Sequence, residues 1–245
     1  MKIETILTPA ELPALAKEDL RETVCIVFDV LRATSTFVTA LQNGAKEIIP
    51  VGEIPEALEF KKKRPDVLLG GERNGVKIRT SGIVFDFGNS PREFTPDKIS
   101  GKTIVSTTTN GTRALRACAG AKMVLASSFL NLSATAKFIQ RENIENVLLV
   151  CAGTRENAAL EDILAAGALA EILSNGTATL SDSTRIALAA YGQTKSDLPA
   201  AIRQSENASR LLAIPELRDD VNFCLRRDIF DFAAALDAGA IRILI

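Results

Sequence analysis

The chain has 245 residues, 47% of them hydrophobic, which suffices for one large α/β unit or for two lobes sharing a cleft. Its 29 Lys and Arg against 30 Asp and Glu leave a formal net charge of -1, so the basic footprint of a nucleic-acid-binding protein is missing. There is no histidine, which excludes Ser-His-Asp and Cys-His nucleophile systems and histidine-ligated metals and leaves acid–base work to Asp, Glu, Lys, Tyr191, a cysteine or water on a metal.

Cys25, Cys118, Cys151 and Cys224 lie far apart with no CxxC pair, so neither a zinc site nor a disulfide framework is expected. Scattered reduced thiols fit the cytoplasm. The first twenty residues carry acids and prolines without an apolar signal core, and no apolar run approaches the roughly 20 residues of a membrane helix. Secretion and membrane insertion are therefore not expected.

Taken in chain order, short β-branched runs predict strands over 24–28, 47–51, 67–69, 103–106, 123–126, 147–151 and 241–245. Helical periodicity falls between them, over 34–42, 54–62, 111–117, 133–141 and 160–173. Such alternation predicts βα units and an α/β fold with a largely parallel sheet. From Asp182 to about Ala238 the pattern is mainly helical, broken at Pro199 and Pro215. Gly44, Gly120 and Gly239 each precede a predicted strand, and each is read as a left-handed glycine closing a helix. The recurrence suggests two similar βα halves facing across a cleft, with a boundary near 100–130, as the alternative to a single unit. The segment from Gly70 to Lys102 lacks periodicity; loops that long are usually functional or disordered, and Phe85, Phe87 and Phe94 could anchor this one.

Polar motifs follow several predicted strands at their carboxyl ends, where ligands bind in open α/β sheets. After the first comes Asp29-Val30-Leu31-Arg32-Ala33-Thr34-Ser35. Asp29 can hold a cation, Arg32 can clamp a phosphate, and Thr34 or Ser35 can cap the next helix. The same residues would serve as a plain Asx turn with a cap. After the fourth comes Ser106-Thr107-Thr108-Thr109-Asn110-Gly111-Thr112, whose hydroxyls and free amides at a helix start suit an anion. The third cluster, Cys151-Ala152-Gly153-Thr154-Arg155 with Glu161 and Asp162 beyond, adds an arginine and two acids. Asp162 is a candidate to complete an oxygen-rich Mg2+ shell with Asp29, and Glu161 is expected to matter less. Asn157 stands where a Cys-based phosphatase loop needs arginine, so Cys151 reads as a small buried residue. The aperiodic segment supplies Glu72 as a further metal ligand, Arg73 as an anion partner, and Asn89 and Ser90 in Phe87-Gly88-Asn89-Ser90-Pro91.

In this order the motifs DVLRATS, GGER, FGNSP, STTTNGT, CAG and LED resemble those of the 2-phosphosulfolactate phosphatase family, also called the ComB family. The resemblance implies a layered α/β/α fold of its own and Mg2+-dependent hydrolysis of 2-phospho-3-sulfolactate to sulfolactate and phosphate. It suits Arg32, Arg73 and Arg155 as partners of a small, highly anionic substrate, with Mg2+ on Asp29, Glu72 or Asp162. Water held by the cation, or Asp29 itself, would then attack phosphorus. Three alternatives stay open at this point: a phosphatase for another small phosphorylated acid, a noncatalytic anion-binding protein, and a sugar or nucleotide transferase. The sequence leaves homo-oligomerisation open.

Overall fold

A computed structural model describes residues 1–80 and 82–244. Its main sheet holds eleven strands. In chain order the strands are β1 (Lys2–Ile6), β2 (Val24–Phe28), β3 (Glu47–Pro50), β4 (Leu68–Arg73), β5 (Val76–Lys77), β6 (Arg79–Thr80), β7 (Ile83–Val84), β8 (Thr103–Thr107), β9 (Met123–Ser127), β10 (Asn146–Cys151), β11 (Thr179–Leu180), β12 (Ala233–Asp237) and β13 (Ala240–Leu244). The spatial order of the sheet is β11-β1-β10-β2-β9-β12-β13-β3-β8-β4-β5, while β6 and β7 form a separate hairpin. The last strand was expected to reach Ile245, which lies outside the described residues.

The sheet is mixed. β11, β1, β10, β2 and β9 are parallel neighbours, and so are β3, β8 and β4. Between the two groups the hairpin β12–β13 pairs antiparallel with β9 on one side and β3 on the other, so the two groups run in opposite senses. Helices cover both faces. β2 shows why: all five of its residues are buried, Val24, Ile26 and Phe28 facing one core and Cys25 and Val27 the other. An unbroken apolar run of that kind marks a strand covered on both sides.

The first core is closed by the helices Leu132–Arg141, Leu160–Ser174 and Asp182–Thr194 with the short C-terminal helices Leu198–Arg203, Glu206–Leu212 and Arg218–Cys224. The second is closed by Ala33–Gln42 and Gly111–Ala117. Among the described residues no helix is long and apolar enough to cross a membrane.

Three expectations are corrected. The stretch up to Ala238 is not helical to its end, because Ala233–Asp237 forms β12 in the middle of the sheet. Gly239 does not end a helix either; with Ala238 it turns the β12–β13 hairpin, at φ of 47° and 81°, which is the positive-φ pair of a type I′ turn. Gly44 does follow a helix with φ 90°, as expected, whereas Gly120, beyond the helix Gly111–Ala117, does not take a positive φ. The segment from Gly70 to Lys102 is anchored by its aromatics: Phe85, Phe87 and Phe94 are all buried, and the Phe87 and Phe94 rings lie 4.7 Å apart.

Candidate active site

The loops at the carboxyl ends of β2, β4, β8 and β10 meet although their strands belong to opposed groups. They enclose a cleft of about 560 Å3, counting its open mouth. Asp29, Arg32, Glu72, Asn89, Thr109, Asn110 and Arg155 line it, all of them expected from sequence.

Asp29 leaves β2 buried at the cleft floor. Its Oδ1 accepts the Ala33 amide at 3.1 Å, while the Thr34 hydroxyl donates to its backbone carbonyl at 2.9 Å. A methyl group on Gly111 would sit 2.7 Å from Asp29 Oδ2, so only glycine lets the helix start that close. Burial pushes the Asp29 carboxyl up to about 7; the Ala33 amide opposes the shift and the charges of Glu72 and Glu161 add to it. Arg32 sits three residues on with its guanidinium almost wholly buried. It donates to Asp220 at 2.8 Å and to the Gly75 carbonyl at 2.7 Å. Ser90 supports it indirectly, its hydroxyl donating to the other Asp220 oxygen at 2.7 Å.

Glu72 holds two loops together. Its oxygens accept the amides of Gly75 and Thr109, each at 2.7 Å. The next side chain points elsewhere, because residues along a strand alternate faces. Arg73, expected to bind substrate, is not brought to the cleft; its guanidinium donates to the Glu72 carbonyl at 2.8 Å and to the Thr107 hydroxyl at 3.0 Å. The threonine run divides likewise. Thr107 donates to the Gly52 carbonyl, and Thr108 and Thr112 cap one another through Thr112 N to Thr108 Oγ1 at 3.2 Å and Thr112 Oγ1 to Thr108 O at 2.9 Å. Ser35 donates to the Val30 carbonyl and Thr34 to that of Asp29, so both serve the backbone. From this run only Thr109 and Asn110 reach the cleft.

The two acids after β10 differ in how their oxygens are engaged. Asp162 is turned inward, its two oxygens accepting the amides of Val30 at 2.8 Å and Gly153 at 3.0 Å, so it ties the β2 loop to the β10 loop. Burial, with the charges of Glu161 and Asp29, holds its carboxyl well above the usual range. Glu161 is equally buried, yet only Oε1 has a partner, the Asn207 amide at 2.7 Å; Oε2 has none among the described residues. Asn207 also donates to Thr154 at 2.6 Å. Cys151 is fully buried, and burial holds its thiol well above the usual range.

The cleft contains residues that sequence reasoning missed: Asn74 and Gly75, Thr154, and Asn207, Arg210 and Leu211 from the C-terminal helices. Asp220, which supports the wall from behind, was missed too. Nothing in the local sequence marks the C-terminal residues, since the fold alone carries them to the strand ends.

An α/β enzyme is what this layered sheet defines, with strand-end loops that gather carboxylates, amides and arginines around one cleft. A family model described as 2-phosphosulpholactate phosphatase matches residues 7–239. The chain is 43% identical over 227 residues to a probable 2-phosphosulfolactate phosphatase of Caldanaerobacter subterraneus subsp. tengcongensis, covering 91% of this chain and 92% of the relative. A protein of the same description from Thermotoga petrophila is 44% identical over 214 residues, 87% of this chain and 89% of its own length. One from Clostridium acetobutylicum is 34% identical over 244 residues, 98% and 100% of the two chains. The chain belongs to the 2-phosphosulpholactate phosphatase family and is a phosphoric monoester hydrolase acting on a small phosphorylated substrate.

Proposed function

We propose that this chain hydrolyses 2-phospho-3-sulfolactate to 3-sulfolactate and phosphate with Mg2+ held at the Asp29 end of the cleft. The observation that carries the reading is one cavity lined by the buried Asp29 together with Arg32, Arg155 and Arg210.

The residues suit a magnesium ion, which commonly takes one or two carboxylates and keeps waters and substrate oxygens for the rest of its shell. Among the described residues no group of three or more acids, cysteines or histidines converges, so an all-protein cage is not what the chain offers. Asp29, with Glu161 in support, would hold the ion; a buried carboxylate oxygen without a partner is costly, and a cation removes that cost. Glu72 and Asp162 have both oxygens engaged by amides and serve as struts. When bound, Mg2+ supplies neutralisation of phosphate charge and polarisation of a phosphoryl oxygen.

The chain's own contribution is positioning and charge, the main protein role in phosphoryl transfer. Arg32 is fixed by Asp220 and Gly75, so its guanidinium meets a phosphate without reorganising. Thr109, Asn110 and Asn89 line the same cavity and offer hydrogen bonds to ester and phosphoryl oxygens. Burial raises the Asp29 carboxyl in the metal-free protein, so a proton and Mg2+ compete for it.

The test is phosphate release from 2-phospho-3-sulfolactate by the purified protein, after chelation and after Mg2+ is returned. Turnover abolished by chelator and restored by Mg2+ is expected. Full turnover in excess chelator refutes the metal assignment, and no release under any condition refutes the phosphatase reading.

A further inference from the structure

The cleft has three arginines of unlike electrostatic standing. Arg32 is already neutralised by the fully buried Asp220. Arg155 and Arg210 are exposed on the cleft lining, and neither has an acid within ion-pair distance among the described residues. The acid beside Arg155 is not free to pair with it, because Glu156 is bound to Arg113 at 2.7 Å.

Both arginines sit on elements whose placement is fixed. The Arg155 amide donates to Asn110 Oδ1 at 3.1 Å, and the loop is closed by reciprocal amide bonds between Thr154 and Asn157 at 2.9 and 3.0 Å. Arg210 lies on the helix Glu206–Leu212, three residues after Asn207 and so on the same face. Asn207 ties that face to Thr154 at 2.6 Å and to Glu161 at 2.7 Å. One asparagine therefore fixes the Arg210 helix against the Arg155 loop.

We propose that Arg210 together with Arg155 forms a second anion subsite, one that receives the carboxylate and sulfonate of the substrate while its phosphate lies at the Asp29 and Arg32 end. This rests on the phosphatase reading above and adds to it the residues that select the acid. The charge balance supports it. A phosphate ester bearing two further anionic groups needs cationic partners beyond those at the phosphate, and these two arginines are the uncompensated positive charges of the cleft. Guanidinium forks match both groups, since each presents paired oxygens. A substrate lacking the sulfonate leaves part of this charge unused, so the subsite selects by transition-state binding.

The experiment compares wild type, R210Q, R155Q and R210K. The readouts are kcat/KM for 2-phospho-3-sulfolactate and 2-phospholactate, and calorimetric binding of 3-sulfolactate to metal-free protein. Wild type should prefer the sulfonated ester. R210Q and R155Q should each reduce that preference by about 10- to 100-fold, the scale of one charge-assisted contact, and weaken 3-sulfolactate binding in step. R210K should recover part of the loss. Thermal midpoints should stay unchanged, because both side chains are exposed. Wild-type protein releasing phosphate from neither ester refutes the phosphatase reading itself. Wild-type turnover with the preference and 3-sulfolactate affinity unaltered in both glutamine variants refutes the subsite alone.

Discussion

Arg32 Nη1 lies 2.8 Å from Asp220 Oδ2, and both side chains are withdrawn from solvent, 3% and 0% exposed. The pair joins the loop after β2 to the C-terminal helix Arg218–Cys224, whose sequence carries no catalytic motif. Removing one member of a buried pair leaves the other charge without compensation, at a cost of about 3–5 kcal/mol. Asp220→Ala should therefore lower the unfolding free energy measured in urea by that order and reduce turnover. Asp220→Asn keeps the shape and an acceptor for the guanidinium and should lose less stability, with kcat falling more than KM rises. A variant as stable and active as wild type would remove Asp220 from the positioning of Arg32.

Neighbouring acids should separate by phenotype. Asp162 accepts two backbone amides and Glu161 has an unpartnered oxygen, so their consequences for stability and for metal response differ. Asp162→Ala should cost on the order of 1–3 kcal/mol per orphaned amide, read by chemical denaturation. Glu161→Gln should keep wild-type stability within about 1 kcal/mol and raise the Mg2+ concentration needed for half-maximal turnover. If the two effects are interchanged, Asp162 is the ligand and Glu161 the strut.

How far this was legible in the sequence follows from the range of the forces involved. Strands such as β2 and β10 are set by local apolar runs and were read to within a residue. β12 was not, because its run Ala233-Ala234-Ala235 carries the highest helix propensity, and only pairing with β9 makes it extended. β1 was missed although Lys2, Ile3, Glu4 and Thr5 alternate exposed and buried, a period-two signal that was present but short. In the cleft, Asp29, Arg32 and Glu72 could be found because they sit at or just beyond the carboxyl ends of strands. Asn207, Arg210 and Asp220 could not, since they reach the site through helix packing more than 170 residues away in the chain from Asp29. The inward turn of Asp162, the unpartnered oxygen of Glu161 and the outward face of Arg73 depend on one step of strand or helix phase that spacing alone does not resolve.

Arg73 and Cys151 should both prove dispensable for chemistry. The Arg73 guanidinium braces Glu72 and Thr107 from outside the cleft, so Arg73→Ala should lower stability by about 1–2 kcal/mol while kcat/KM changes less than about threefold. Cys151→Ser places a hydroxyl in a dry strand position and should likewise cost stability but keep substantial turnover. Loss of all activity in a folded Cys151→Ser protein would restore the thiol as nucleophile, and a large kcat loss in Arg73→Ala would place that side chain at the substrate.

The glycine beside Asp29 offers a steric test of the site. An added methyl at Gly111 meets Ala33 Cβ at 2.6 Å and Asp29 Oδ2 at 2.7 Å, neither of which belongs to a freely moving side chain. Gly111→Ala should displace the carboxylate and depress kcat by about tenfold or more, since small misplacements of catalytic groups are costly. Gly120→Ala is the control, with open space where its methyl would lie, and should leave kcat unchanged. Equal kcat in the two variants would mean that the position of Asp29 does not limit turnover.

Asp29 also predicts a pH dependence with a definite sign. Its carboxyl is raised to about 7 by burial, from an unfolded value of about 3.9. A raised pKa means that the native state holds the proton more tightly, so stability present below the unfolded value is lost as pH rises towards 7. Asp29→Asn has no such proton to lose and keeps an acceptor for the Ala33 amide. In chelator, the stability of Asp29→Asn relative to wild type should therefore grow by about 3 kcal/mol between pH 5 and pH 8, measured by urea unfolding. Groups remote from Asp29 cancel in this difference, whereas Asp162, whose carboxyl is raised in part by the Asp29 charge, contributes to it. Mg2+ competes with the same proton, so its apparent affinity for wild type should fall about tenfold for each pH unit below 7. A stability difference that is flat across this range would show that Asp29 titrates as an ordinary carboxylate, and a pH-independent Mg2+ affinity would place the ion on another group.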